Sequence, residues 1–236
     1  MQLFFYFGVQ DRLKALLEDR RISELLRLPD ITVAPHDRDD KTVRSLYDSQ
    51  AWYDLVVRGC GRMPLQPSDF GTENGRRNIV LGVNLDGFQP FKTSHSLTPL
   101  TCMILNLPEN LRHRDSFLLL AGLIPGPKQP ANQNAYLDVF VDELCRLYDQ
   151  GFEIRDPTEG GRVVTVRVKL LFVAGDYPAH QKNNCQQGAS AHHGCIKCYI
   201  QVSLNKQQAW YYHEAAWYFY GLHDILPLLM LSLALL

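Results

Sequence analysis

Residues Asn78–Ser94 read NIVLGVNLDGFQPFKTS. An apolar run from Ile79 delivers Asp86 at its end, and Gly87 follows at once. Ninety positions on (176 − 86) the chain repeats the device: Val163–Gly175 is a β-branched run that ends in Asp176-Tyr177-Pro178-Ala179. Short apolar runs bounded by turn residues are the pattern of buried strands. Two such strands, each handing over a carboxylate at its carboxyl end, fit a site that holds two divalent metal ions for phosphoryl transfer. Each aspartate also has a plainer reading. Asp-Gly between apolar runs is a hairpin-turn signal, with glycine supplying the positive φ. Asp176 can cap a helix that begins near Pro178.

Working outward, Asn78–Leu85 is a strand, Leu97–Leu107 a second and Phe117–Ile124 a third. Gly122–Pro130 (GLIPGPKQP) has too many prolines for a regular element. Asn134–Gln150 carries Tyr136, Leu137, Phe140, Val141, Leu144 and Leu147 on one stripe, with Gly151 as its stop. Val163–Gly175 is then the fourth strand. The order β-β-β-α-β belongs to an α/β fold and is the first part of an RNase H-like domain. There a crossover lays the fourth strand parallel to, and beside, the first. Asp86 and Asp176 would emerge side by side at one sheet edge, where two carboxylates repel each other until divalent ions relieve the repulsion.

Ahead of this core, Asp11–Leu28 has the leucine spacing of an amphipathic helix ended by Pro29. Val43, Leu46, Tyr47, Trp52 and Leu55 again repeat at helical spacing, and Gly59–Arg77 reads as a loop. The chain thus divides into residues 1–74, a helical extension and linker; 75–182, an incomplete RNase H-like core; and 183–236, a Cys-x-x-Cys appendage with a divergent apolar tail. That tail, Ile225–Leu236, is too short at twelve residues to span a bilayer. It reads as a departure from the parent coding frame, and no membrane partner is expected. A net charge of −1 gives the molecule no overall basic field, so nucleic-acid contact must be local. Arg76-Arg77 and Arg112-His113-Arg114 are short basic clusters that can touch a DNA backbone or simply face solvent.

LGVNLDGFQPFKTSHSLTPLTCMILNLPENLRHR, LLLAGLIPGPKQPANQNAYLDVFVDEL, LLFVAGDYPAH and GCIKCYI, in that order, resemble the catalytic region of CACTA-type (En/Spm-like) DNA transposases over Asn78–Ile200. The resemblance implies a DDE/D-type enzyme of cut-and-paste transposition, acting in the nucleus on the DNA of transposon ends with Mg²⁺ or Mn²⁺. It makes Asp86 and Asp176 the first two acids of the metal-binding triad. The third lies far downstream in the family, and only Glu214 and Asp224 are acidic after Cys198 here. Glu214 sits in the aromatic run Trp210–Tyr220, read as a helix, and nothing marks it as the ligand. The chain is therefore expected to be a transposase-derived piece, truncated and inactive alone. The alternative is a non-catalytic DNA- or protein-binding module on the same scaffold.

Cys195 and Cys198 are the pair of the six cysteines with chemically meaningful spacing. Cys-x-x-Cys supplies half of a tetrahedral Zn²⁺ site. Cys185, His192, His193, His213 and His223 are candidates for the other half, and an unmetallated thiol pair is the simpler reading.

Overall fold

In the computed structural model the described residues are 3–28, 45–50, 77–90, 95–127, 133–176 and 179, with backbone alone for 202–204 and 210–212. The β-branched and leucine-rich runs become a mixed sheet of five strands: β1 (Phe5–Tyr6), β2 (Ile79–Leu85), β3 (Ser96–Ile104), β4 (Leu119–Gly126) and β7 (Val168–Ala174). Their spatial order is β1-β4-β3-β2-β7. β2, β3 and β4 are antiparallel neighbours, and β7 lies parallel to β2. A separate antiparallel hairpin, β5 (Phe152–Asp156) with β6 (Arg162–Val166), precedes β7.

Strand alternation sends Leu81, Val83 and Leu85 of β2 and Leu100, Cys102 and Ile104 of β3 to one face. There they meet Phe140, Leu144 and Leu147 of the helix Asn134–Asp149 and Leu13 and Leu17 of the helix Gln10–Glu18. The lower part of the other face is covered by Leu28 and Tyr47, which pack with Val80 and Leu105. Both faces of β2 are thus dry at its start, so five successive residues are buried there.

We number the helices α1 (Gln10–Glu18), α2 (Arg20–Leu25), α3 (Glu109–Arg112) and α4 (Asn134–Asp149). The single helix expected over Asp11–Leu28 is two, because Asp19 turns its carboxylate on the amides of Arg21 (2.9 Å) and Ile22 (3.2 Å) and starts α2 afresh. The start of α1 has no cap of its own. Glu143 of α4 supplies one, accepting from the Val9 and Gln10 amides at 3.1–3.2 Å and from the Tyr6 hydroxyl. Leu46–Asp48 forms one 3₁₀ turn; Val43, Trp52 and Leu55, which carry the rest of the expected helical spacing, lie outside the described residues.

The fourth strand is shorter than its apolar run. At Arg167 the chain leaves the hairpin and joins the sheet: its N–H donates to the Asn78 side chain (2.9 Å) and its carbonyl accepts from Ile79 (2.8 Å). That exchange splits Val163–Gly175 into β6 and β7. Over the paired span β7 carries one residue more than β2: Leu81 pairs with Leu170, but Gly82 pairs with Phe172, leaving Leu171 in a bulge. β4 runs on to Gly126 through Pro125, inside the stretch expected to be irregular. β1 covers only Gly122 and Leu123, so Pro125 lies where β4 is the sheet edge and no ladder donor is missed. Trp210–Tyr212 is a strand paired with Val202–Leu204, not the beginning of a helix.

Gly151 ends α4 with φ 71°, donating to the Arg146 carbonyl at 3.3 Å. A Cβ there would lie 2.6 Å from the Val166 carbonyl oxygen, a backbone atom that cannot yield. Gly151→Ala is therefore expected to lower stability by about 1–3 kcal/mol. The drop should appear as a lower urea midpoint with an unchanged slope.

Candidate metal site and relationship to known proteins

β2 and β3 hold one register from Leu81↔Ile104 to Leu85↔Leu100. Phe88 and Leu97 continue it, each donating to the other's carbonyl at 2.9 Å. Asp86 therefore lies opposite Pro99, at a position where an antiparallel ladder would exchange two bonds. Pro99 has no N–H to give, and the regular strand stops at Leu85 for that reason. Asp86-Gly87 is not the hairpin turn: pairing resumes beyond it, and Gly87 is not among the glycines with positive φ (Gly8, Gly151, Gly160 and Gly161).

The parallel neighbour brings up the second acid. β2 and β7 pair as far as Asn84↔Ala174, and each chain then advances two residues to reach Asp86 and Asp176. Carried on at the alternation of the two strands, that register sets Asp86 and Asp176 level with each other just past the carboxyl ends of β2 and β7; neighbouring strands of a sheet run about 4.8 Å apart. Asp86 is half-buried and Asp176 exposed. Asp176 also acts as a cap, its Oδ1 accepting from the Ala179 amide at 2.8 Å. The helix-capping reading of Asp176 and the ligand reading are compatible, since that bond engages one of its two oxygens.

Hard carboxylate oxygens at this edge suit Mg²⁺ or Mn²⁺. Among the described residues no group of three His, Cys, Asp or Glu side chains comes together. Glu214 and Asp224, and Cys195, Cys198 and the histidines beside them, lie outside the described residues.

The basic clusters are used differently from expectation. Arg77 is 1% exposed and forms an ion pair with Asp156, and Arg112 is buried with its Nε donating to the Leu107 carbonyl at 2.6 Å. Neither guanidinium can reach a DNA backbone; His113 and Arg114 are exposed. One buried cation escaped notice in the sequence, where it looks like an ordinary strand lysine. Lys169 pairs with Val80 on the acid-bearing face, and burial pushes its ammonium from 10.5 down to about 8. Between those pH values the unfolded chain holds the proton that the folded chain has released, so this residue makes stability rise from about pH 8 to 10.5. Lys169→Met is expected to flatten that rise, read from melting temperatures compared across the same window.

No helix among the described residues is long and apolar enough to cross a membrane. A search of curated proteins finds no match. Residues 40–222 match the family described as Transposase family tnp2, and this span holds Asp86, Asp176 and Cys195-x-x-Cys198. With most of its length matched, the chain belongs to the tnp2 transposase family.

Proposed function

We propose that this protein is a DNA transposase component of the CACTA type, built on an RNase H-like core, with Asp86 and Asp176 as ligands of catalytic Mg²⁺ or Mn²⁺. The observation that supports the reading is the parallel register of β2 and β7, which, followed just past the ends of both strands, leads to two aspartates ninety residues apart in the chain. A divalent ion there would activate water for strand nicking and then the freed 3′-hydroxyl for in-line attack on target DNA. The chain's own part is to hold the carboxylates at a fixed spacing; the Asp176–Ala179 bond helps by fixing one of them. Two carboxylates without a third hold one ion weakly rather than two firmly. Cys195 and Cys198 would hold Zn²⁺ with histidine partners, and the site of action is the nucleus.

The test is nicking of a labelled DNA duplex in Mn²⁺ by the wild-type chain and by Asp86→Asn. Loss of activity in the variant supports the metal site. DNA binding that ignores both the substitution and a chelator, with no nicking in either protein, points instead to a non-catalytic module. The cap formed by Asp176 favours that second reading to the extent that it gives this carboxylate a structural task.

A further inference from the structure

Of the exposed large apolar side chains among the described residues, five share one face of the main sheet, while Leu25, Val139 and Val163 lie elsewhere. Leu3, Phe5, Phe7, Phe88 and Phe172 are 65%, 48%, 52%, 52% and 39% exposed. Phe5 pairs with Leu123, Leu123 with Pro99, and Pro99 lies opposite Asp86. Cross-strand partners share a face, so Phe5 stands on the face that carries the two aspartates, with Leu3 and Phe7 following it by alternation. Phe88, two residues beyond Asp86, joins them through its pairing with Leu97. Phe172 pairs with Gly82, and its ring lies so close over that glycine that an added Cβ would be 2.6 Å away.

Such a patch needs an occupant. A packed apolar helix is a poor candidate, because exposed Asn84, half-buried Thr101 and both aspartates lie among the rings. Those polar groups would lose water without gaining partners. A nucleobase suits the mixture: its face stacks on a ring and its edges hydrogen-bond, and open sheet faces bearing aromatics serve single strands in this way.

We propose that this face binds unpaired bases of DNA, with Phe88 and Phe172 stacking on bases to either side of the phosphate held at Asp86 and Asp176. The position of that phosphate rests on the phosphoryl-transfer reading above. Strand rise puts Phe88 about 7 Å from Asp86 and Phe172 about 13 Å from Asp176 along their own strands. The acids therefore lie between the two rings.

The experiment is fluorescence anisotropy with a labelled DNA single strand of roughly 16 nucleotides, using the full chain with Mn²⁺ and again with chelator. Phe88→Ala and Phe172→Ala are each expected to weaken binding roughly five- to a hundredfold. Phe88→Trp should keep it, and Val163→Ala, an exposed apolar position on the β5–β6 hairpin, should leave it unchanged. Melting temperatures of the Phe88 variants should match wild type, since the side chain is exposed. Wild-type affinity in both alanine variants, or in Phe88→Leu, overturns the proposal; the latter would mean that apolar area suffices without a ring. Nicking by the wild type, read beside single-strand affinity, separates the two ideas. If the wild type never nicks DNA but the ring variants lose single-strand affinity, the catalytic reading fails and base stacking stands.

Discussion

Asp176→Asn is expected to fold as well as wild type and to lose Mn²⁺-dependent nicking by at least about a hundredfold, because groups that merely support a metal ligand already cost about 10–100-fold. The side-chain amide keeps an oxygen in the place of Oδ1, so the bond from the Ala179 amide survives. What disappears is the negative charge and the ligand strength of the second oxygen. Asp176→Ala removes both tasks, and the lost cap adds about 1 kcal/mol of destabilisation. Asp86→Asn, with no cap to protect, should match Asp176→Asn in activity and melting temperature. Nicking assays and melting curves on these three variants decide the matter. An Asp176→Asn protein that nicks like wild type would leave Asp176 with its cap alone.

The second large effect lies away from the acids. Arg77 Nε and Asp156 Oδ2 are 2.5 Å apart, with side chains 1% and 0% exposed. Burial pulls the Arg77 pKa down, and the neighbouring Asp156 charge opposes that pull. The surroundings complete the pair: Arg77 donates to the Ser23 carbonyl (2.9 Å) and to Thr158, while Asp156 accepts from the Thr158 amide (2.9 Å) and hydroxyl (2.7 Å). This network ties α2, the start of β2 and the β5–β6 turn together. Asp156→Ala leaves a buried guanidinium without its counter-charge and is expected to cost about 3–5 kcal/mol. That is a large part of the total for an ordinary domain, about 5–15 kcal/mol. Arg77→Met combined with Asp156→Ala should recover much of the loss, since no charge is then stranded. Chemical denaturation of the wild type, both single variants and the double variant closes the cycle. A double variant as unstable as the sum of the singles would refute the coupling.

Where periodicity is strong, the sequence was a good guide. Asn134–Asp149 forms the helix whose stripe and glycine stop are plain in the chain, and β2 to β4 appear in the expected order and directions. The errors have a common physical origin in contacts made at long range. Nothing inside Val163–Gly175 breaks a strand; the break is made by Asn78, 89 residues away. Arg77 and Arg112 look like surface cations until Asp156 and the Leu107 carbonyl are known to await them. The turn reading of Asp86-Gly87 fails because of Pro99, which local propensity at Asp86 cannot register. Asp19 is the exception, a local breaker inside an apolar stripe that could have been noticed.

The irregularity at Leu171 decides more than the shape of β7. Count without it: Val80 faces Lys169, so Asn84 would face Val173 and Asp86 would face Gly175. Asp176 would then project to the opposite side, toward the oily interior. One supernumerary residue shifts the phase of everything after it and brings the second acid round to meet the first. Deleting Leu171 would therefore spare the acidic edge, because Phe172 would still face Gly82; straightening the strand with Leu171 kept in the ladder is what would turn half of that edge inside out.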